Sequence, residues 1–94
     1  LPAAEAIGHI LGVMSRHREY PCAGARLAAM VGVPWVGDNR GLCAEEARRV
    51  LEKAKKQTFL LIHPEKCELD LAEAASKALN ATYDSFDSDL AGAV

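Results

Sequence analysis

From Cys43 to the Pro64 break, Ala47, Val50, Leu51, Ala54, Thr58, Leu61 and Ile62 recur at spacings of three and four, with Arg48, Arg49, Glu52, Lys53, Lys55 and Lys56 between them. That period is helical, and it predicts an amphipathic helix over about residues 44–62. Glu45 and Glu46 fall in its first turn, where a carboxylate favours the positive end of the helix dipole. Pro64 stops it, because proline cannot donate to the preceding turn.

The remaining punctuation predicts three more helices. Pro2 suits a first helical turn, and Ile7, Ile10, Leu11 and Met14 follow at helical spacing, so a helix is expected over about 3–18. Tyr20-Pro21 ends it. A short helix is expected over 23–31, capped by Gly32 and kept from continuing by Pro34. Residues 34–41 hold a proline, two glycines and an Asp-Asn pair, and read as a loop from which Trp35 folds back on the core. Asp70 is placed to N-cap a helix over about 71–86, with Leu71, Ala75, Leu79, Thr82, Tyr83 and Phe86 on one face. Asp84, Asp87 and Asp89 sit at the unfavourable end of its dipole, so the tail after Asp87 is expected to fray. With 94 residues, half of them apolar, there is material for one core and not two. Aromatic residues are five and β-branched ones few, so the class expected is all-α.

The formal net charge of −2 conceals an uneven distribution. Residues 40–66 carry seven bases against four acids, and residues 67–94 carry Lys77 against six acids. A basic middle could meet an acidic protein surface or a phosphate backbone, and a solvated helix face would give the same count. Overall acidity, the interruption by Glu52 and the lack of an aromatic stacking platform argue against nucleic acid. Cys22, Cys43 and Cys67 lie about twenty residues apart with no CxxC pair, and read as reduced thiols of an intracellular compartment. They complete no metal-ligand spacing with His9, His17 or His63, so no metal or other cofactor is expected. No nucleophile-base pair, phosphate-cradling glycine loop or paired carboxylate points to an enzyme or a small-molecule substrate. No apolar run approaches a membrane span. The start, Leu1-Pro2-Ala3-Ala4-Glu5, lacks an initiator Met and the basic end of a signal peptide, so a piece of a longer protein is expected.

Against this background one ordered set of motifs stands out: Val31-Gly32-Val33, then Lys53-Ala54 and Lys56 in the basic helix, then His63-Pro64-Glu65-Lys66, then Leu79-Asn80-Ala81-Thr82-Tyr83 and Phe86. In order and chemistry, residues 25–87 resemble a J domain, the recruiting module of DnaJ-type co-chaperones, with His-Pro-Glu in place of His-Pro-Asp. The resemblance implies an antiparallel helical hairpin (about 44–62 and 71–86) preceded by the short helix at 23–31. Residues 1–22 would then be an additional N-terminal helix and residues 23–94 the J-like domain with its frayed acidic tail.

The resemblance also implies a function of recruitment. The partner would be a DnaK-type heat-shock chaperone, or another J protein for which this chain acts as a non-stimulating companion. Carried over by position, Arg49, Lys53 and Lys56 would dock electrostatically, and His63, Pro64, Glu65 and Lys66 would form the contacting loop. Glu65 moves the acid by roughly 1.5 Å and adds a rotatable bond, so weak or absent ATPase stimulation is expected. An active co-chaperone that tolerates Glu65 is the alternative, followed by a basic nucleic-acid module. Where the family usually has an aromatic residue in the basic helix this chain has Lys55, and where it usually has Phe in the closing helix this chain has Ser76; Phe59 could fill that volume. The stretch from Trp35 to Gly41 reads as an insertion.

Overall fold

A computed structural model describes residues 2–92; Leu1, Ala93 and Val94, at the outer ends of the two expected segments, lie outside the described residues. The elements are α1 (Ala3–Ser15), a 3-10 turn at His17–Glu19, α2 (Ala23–Val31), α3 (Glu45–Ile62) and α4 (Ala72–Ala91). The all-α expectation holds, with no strand among the described residues.

Local chemistry sets the boundaries. Pro2 stands at the N-cap of α1 in an extended conformation, and its carbonyl accepts from Ala6 N at 3.1 Å. The helix stops at Ser15 and not at 18. Arg16 leaves helical geometry (φ −114°, ψ 26°), and the Ser15 hydroxyl donates to Gly12 O at 2.8 Å, a local bond that competes with continuation. Helix α2 spans the expected residues. Its N-cap is Cys22, whose Sγ accepts from Ala25 N at 3.4 Å, the role a serine hydroxyl ordinarily fills. Gly32 closes it in the left-handed region (φ 77°), with Val33 N donating to Ala28 O at 3.0 Å.

Helices α3 and α4 run antiparallel, as three cross-contacts of falling separation establish. Arg48 Nη2 meets Asp87 Oδ1 at 2.9 Å, Tyr83 OH donates to Glu52 Oε2 at 2.8 Å, and Ser76 Oγ donates to Ile62 O at 3.3 Å. One core joins all four helices through Ile10 and Val13 of α1, Leu27 and Met30 of α2, Ile62 of α3, and Leu79 and Phe86 of α4. Trp35 folds back as expected, its ring edge-on to Phe86 with centroids 6.0 Å apart.

Three expectations for the hairpin need correction. The apolar stripe of α3 is wider than the face its neighbours cover, so Leu51 and Ile62 are buried while Val50 and Leu61 are 58% and 40% exposed. Asp70 does not cap α4. The N-cap is Leu71, held at φ 70° and ψ 2° with no side-chain cap bond, and its own side chain turns out to solvent at 61% exposure. The tail does not fray at Asp87 either, because α4 continues to Ala91. Asp87 is held by Arg48, and Leu90 packs against the core.

The loop between α2 and α3 covers this added turn. Asp38 Oδ1 accepts from Arg40 N at 2.8 Å and Leu42 N at 3.0 Å, while Trp35 Nε1 donates to Asp38 O at 3.2 Å. The Leu42 bond, assisted by the Arg40 amide and guanidinium against a smaller opposing effect of burial, holds the Asp38 carboxyl below its ordinary value of 3.8. Gly41, buried at φ 92°, lets the loop close on α4, since a Cβ there would lie 3.0 Å from Asp89 Oδ2.

Candidate partner-docking site

On a helix, positions i, i+4 and i+7 share a stripe, and Arg49, Lys53 and Lys56 occupy such a stripe on α3. All three are exposed. Arg49 Nη2 lies 3.0 Å from Glu45 Oε1, but both side chains are about three-quarters in solvent, so the pair exchanges readily with another partner. Lys53 and Lys56 take part in no ion pair among the described residues.

The helix runs directly into the His63 turn. Lys66 N and Cys67 N both donate to His63 O, at 2.9 and 2.8 Å, and Glu65 N donates to the His63 ring at Nδ1, 3.2 Å away. The imidazole therefore holds its own turn and does not cap the carbonyls of α3. It stands edge-on to Phe59 with centroids 5.1 Å apart. Pro64 fixes one φ of the turn, and buried Cys67 anchors its far side. Ser76 Oγ satisfies the Ile62 carbonyl just before the turn. The Glu65 and Lys66 side chains are exposed and unpaired among the described residues.

His63, Pro64, Glu65 and Lys66 are thus brought together in one turn. The basic stripe leads away from it: at 1.5 Å per residue, Lys56 is about 10 Å, Lys53 about 15 Å and Arg49 about 21 Å along the axis. A partner engaging both parts must follow the helix for three to four turns.

Two other bases of the segment are spent internally, which a count of charges does not reveal. Arg48 bridges Glu52 at 3.2 Å and Asp87 at 2.9 Å. Lys55 is half-buried with Nζ 5.2 Å from the Phe59 ring centre and 4.9 Å from that of Tyr83, a cation-π position. Burial, followed by the hydrogen bond to Glu52, pushes the Tyr83 phenol above its usual range. Phe59 packs against the core from the rim. No helix among the described residues is long and apolar enough to cross a membrane, and no group of three His, Cys, Asp or Glu there could hold a metal ion.

No protein-family model, curated protein or solved structure matches this chain.

Proposed function

We propose that this chain is a J-like interaction domain that docks on a DnaK-type heat-shock chaperone and stimulates its ATPase weakly or not at all. The observation that carries the reading is the His63 turn, a histidine-proline-acid sequence locked by its own imidazole at the end of a helix whose Lys53 and Lys56 are exposed and unpaired. The antiparallel α3–α4 pair and the Gly32-terminated helix before it agree with the order of elements that the resemblance implies. Lysines on a solvent-exposed stripe raise the encounter rate with an acidic surface more than they tighten the complex. Pro64 and the His63–Glu65 bond limit the motion of the turn. Glu65 then places its carboxylate one methylene further out than an aspartate would. Docking survives that change, because the lysines act at long range; activation does not, because it depends on the position of one charge-assisted contact.

Single-turnover ATP hydrolysis by a DnaK-type chaperone tests this, with the wild-type chain and Glu65→Asp compared at equal occupancy. The expected result is little stimulation by wild type and a gain of up to about 100-fold with Glu65→Asp, the scale set by a misplacement of about 1 Å. Strong stimulation by wild type overturns the weak-activation reading. Absence of any salt-dependent chaperone binding by titration overturns the docking reading itself.

A further inference from the structure

Arg26 is the half-buried base that the fold leaves without a partner among the described residues. The other two bases of similar burial are both satisfied, Arg48 by Glu52 and Asp87, and Lys55 by the rings of Phe59 and Tyr83. The Arg26 side chain makes no hydrogen bond and no ion pair among the described residues. No buried side-chain N or O atom there lacks a partner, so its unbonded nitrogens are open to solvent and to a ligand. A cation partly withdrawn from water is ordinarily compensated by an anion.

The cleft that holds Arg26 is built from four elements: Met14 of α1, His17 of the 3-10 turn, Arg26 of α2, and Ala81, Thr82 and Ser85 of α4. It measures about 150 Å³, whereas drug-sized ligands occupy about 300–1,000 Å³, so it suits one small polar group. Thr82 ties two of its walls together, donating to Ala78 O at 2.8 Å with its oxygen 3.7 Å from Met14 Sδ. Ser85 lies one turn further along the same face of α4, and its hydroxyl has no partner among the described residues. His17 Nδ1 is 3.3 Å from Met14 O. A carbonyl only accepts, so Nδ1 carries the hydrogen of that bond and Nε2 is uncommitted; the charged ring donates from both nitrogens. No acid lines the cleft, and Glu19, two residues from His17, is already paired with Arg16 at 3.3 Å. A carboxylate has two oxygens, which one guanidinium satisfies by itself, while a phosphate monoester presents three to a guanidinium, an imidazole and a hydroxyl together. We propose that this cleft binds a phosphate monoester group, with Arg26 as its bidentate anchor and His17 Nε2 and Ser85 Oγ donating to the remaining oxygen. None of these residues belongs to the His63 turn or to the α3 stripe, so the site stands apart from the chaperone reading.

The probes are phenyl phosphate, inorganic phosphate and benzoate, titrated into the whole chain at fixed ionic strength while backbone amide resonances are followed by NMR. Phenyl phosphate is expected to shift the amides of His17, Arg26 and Ser85 saturably and to bind about tenfold more tightly than benzoate. Arg26→Gln should weaken it about tenfold or more and Ser85→Ala about threefold, with helical circular dichroism retained. Arg18→Gln, which removes an exposed charge outside the cleft, should change the affinity by less than about twofold. Should Arg26→Gln fail to fold, Ser85→Ala on the surface of α4 still decides the matter. Phenyl phosphate binding more tightly than the inorganic ion supports a phosphate carried on an organic group; equal binding supports the free ion as the occupant. Benzoate binding as tightly as phenyl phosphate overturns the proposal, as does a loss with Arg18→Gln equal to that with Arg26→Gln. Shifts confined to Lys53 and Lys56, or no saturable shift at His17, Arg26 and Ser85, overturn it as well.

Discussion

Leu71 offers a test in which the backbone and the side chain pull in separable directions. At φ 70° it occupies the left-handed region, which costs a residue with a Cβ about 1–2 kcal/mol. Replacing it by glycine removes that cost but adds about 0.5–1 kcal/mol of conformational entropy lost on folding. Replacing it by alanine removes the same side chain and keeps the Cβ, so the loss of whatever contact a 61% exposed leucine makes is common to both variants. The difference between them isolates the backbone. Glycine should come out ahead of alanine by about 0.5–1 kcal/mol, the inverse of the ordering at an ordinary helical position. For a domain of this length each kcal/mol moves the melting temperature by about 4–8 °C, so Leu71→Gly should melt roughly 4 °C above Leu71→Ala. Ala74, exposed and within α4, supplies the reference, because Ala74→Gly should lower the melting temperature by a similar amount. Circular dichroism melts of the three variants at one pH give the answer. If Leu71→Gly melts below Leu71→Ala, by an amount comparable to Ala74→Gly, Leu71 does not hold this conformation in solution and the entry into α4 is wrongly described.

Two further outcomes follow from the same physical terms. Ser76→Ala removes the buried hydrogen bond to Ile62 O and should lower the urea midpoint by an amount equivalent to about 1 kcal/mol with the slope unchanged; a neutral result would mean that another donor serves the carbonyl before the His63 turn. Asp38 has a folded pKa below its unfolded value, so its contribution is complete above about pH 3.8 and is lost as pH falls through the folded value. Trp35 emission should therefore change on acidification in that window, and the change should vanish in Asp38→Asn; persistence in Asp38→Asn would place the acid-sensitive group elsewhere.

Legibility from sequence differed by element for reasons that residues make plain. Helix α2 was readable end to end because both stops are chemical: proline before it, glycine in the left-handed region after it. Its actual cap, the Cys22 thiol, was not, since cysteine is a weak acceptor and the bond depends on where the chain turns. Asp70 has the right side chain for a cap but is followed by a left-handed Leu71, a conformation that leucine itself does not announce. The extension of α4 beyond Asp87 was hidden because its determinants are not local; Asp87 is held from α3 and Asp89 lies against the loop near Gly41. In the candidate site, the grouping of His63, Pro64, Glu65 and Lys66 was bound to appear, being contiguous. The use of the imidazole to hold the Glu65 amide was not, and neither was the internal use of Arg48 and Lys55, which leaves Arg49, Lys53 and Lys56 as the exposed bases of α3.

Gly41 and Asp89 meet closely enough that neither of the segments carrying them is an independent ornament. The stretch between α2 and α3 and the final turn of α4 form a single part in two pieces. Shortening the chain at residue 86 would strip the loop of its backing, and excising the loop would leave the final turn without its cover, with Asp89 at the unfavourable end of the helix dipole. Anyone transplanting the loop into another helical scaffold, or trimming this domain to a minimal version, should treat the two as one cassette and move or remove them together.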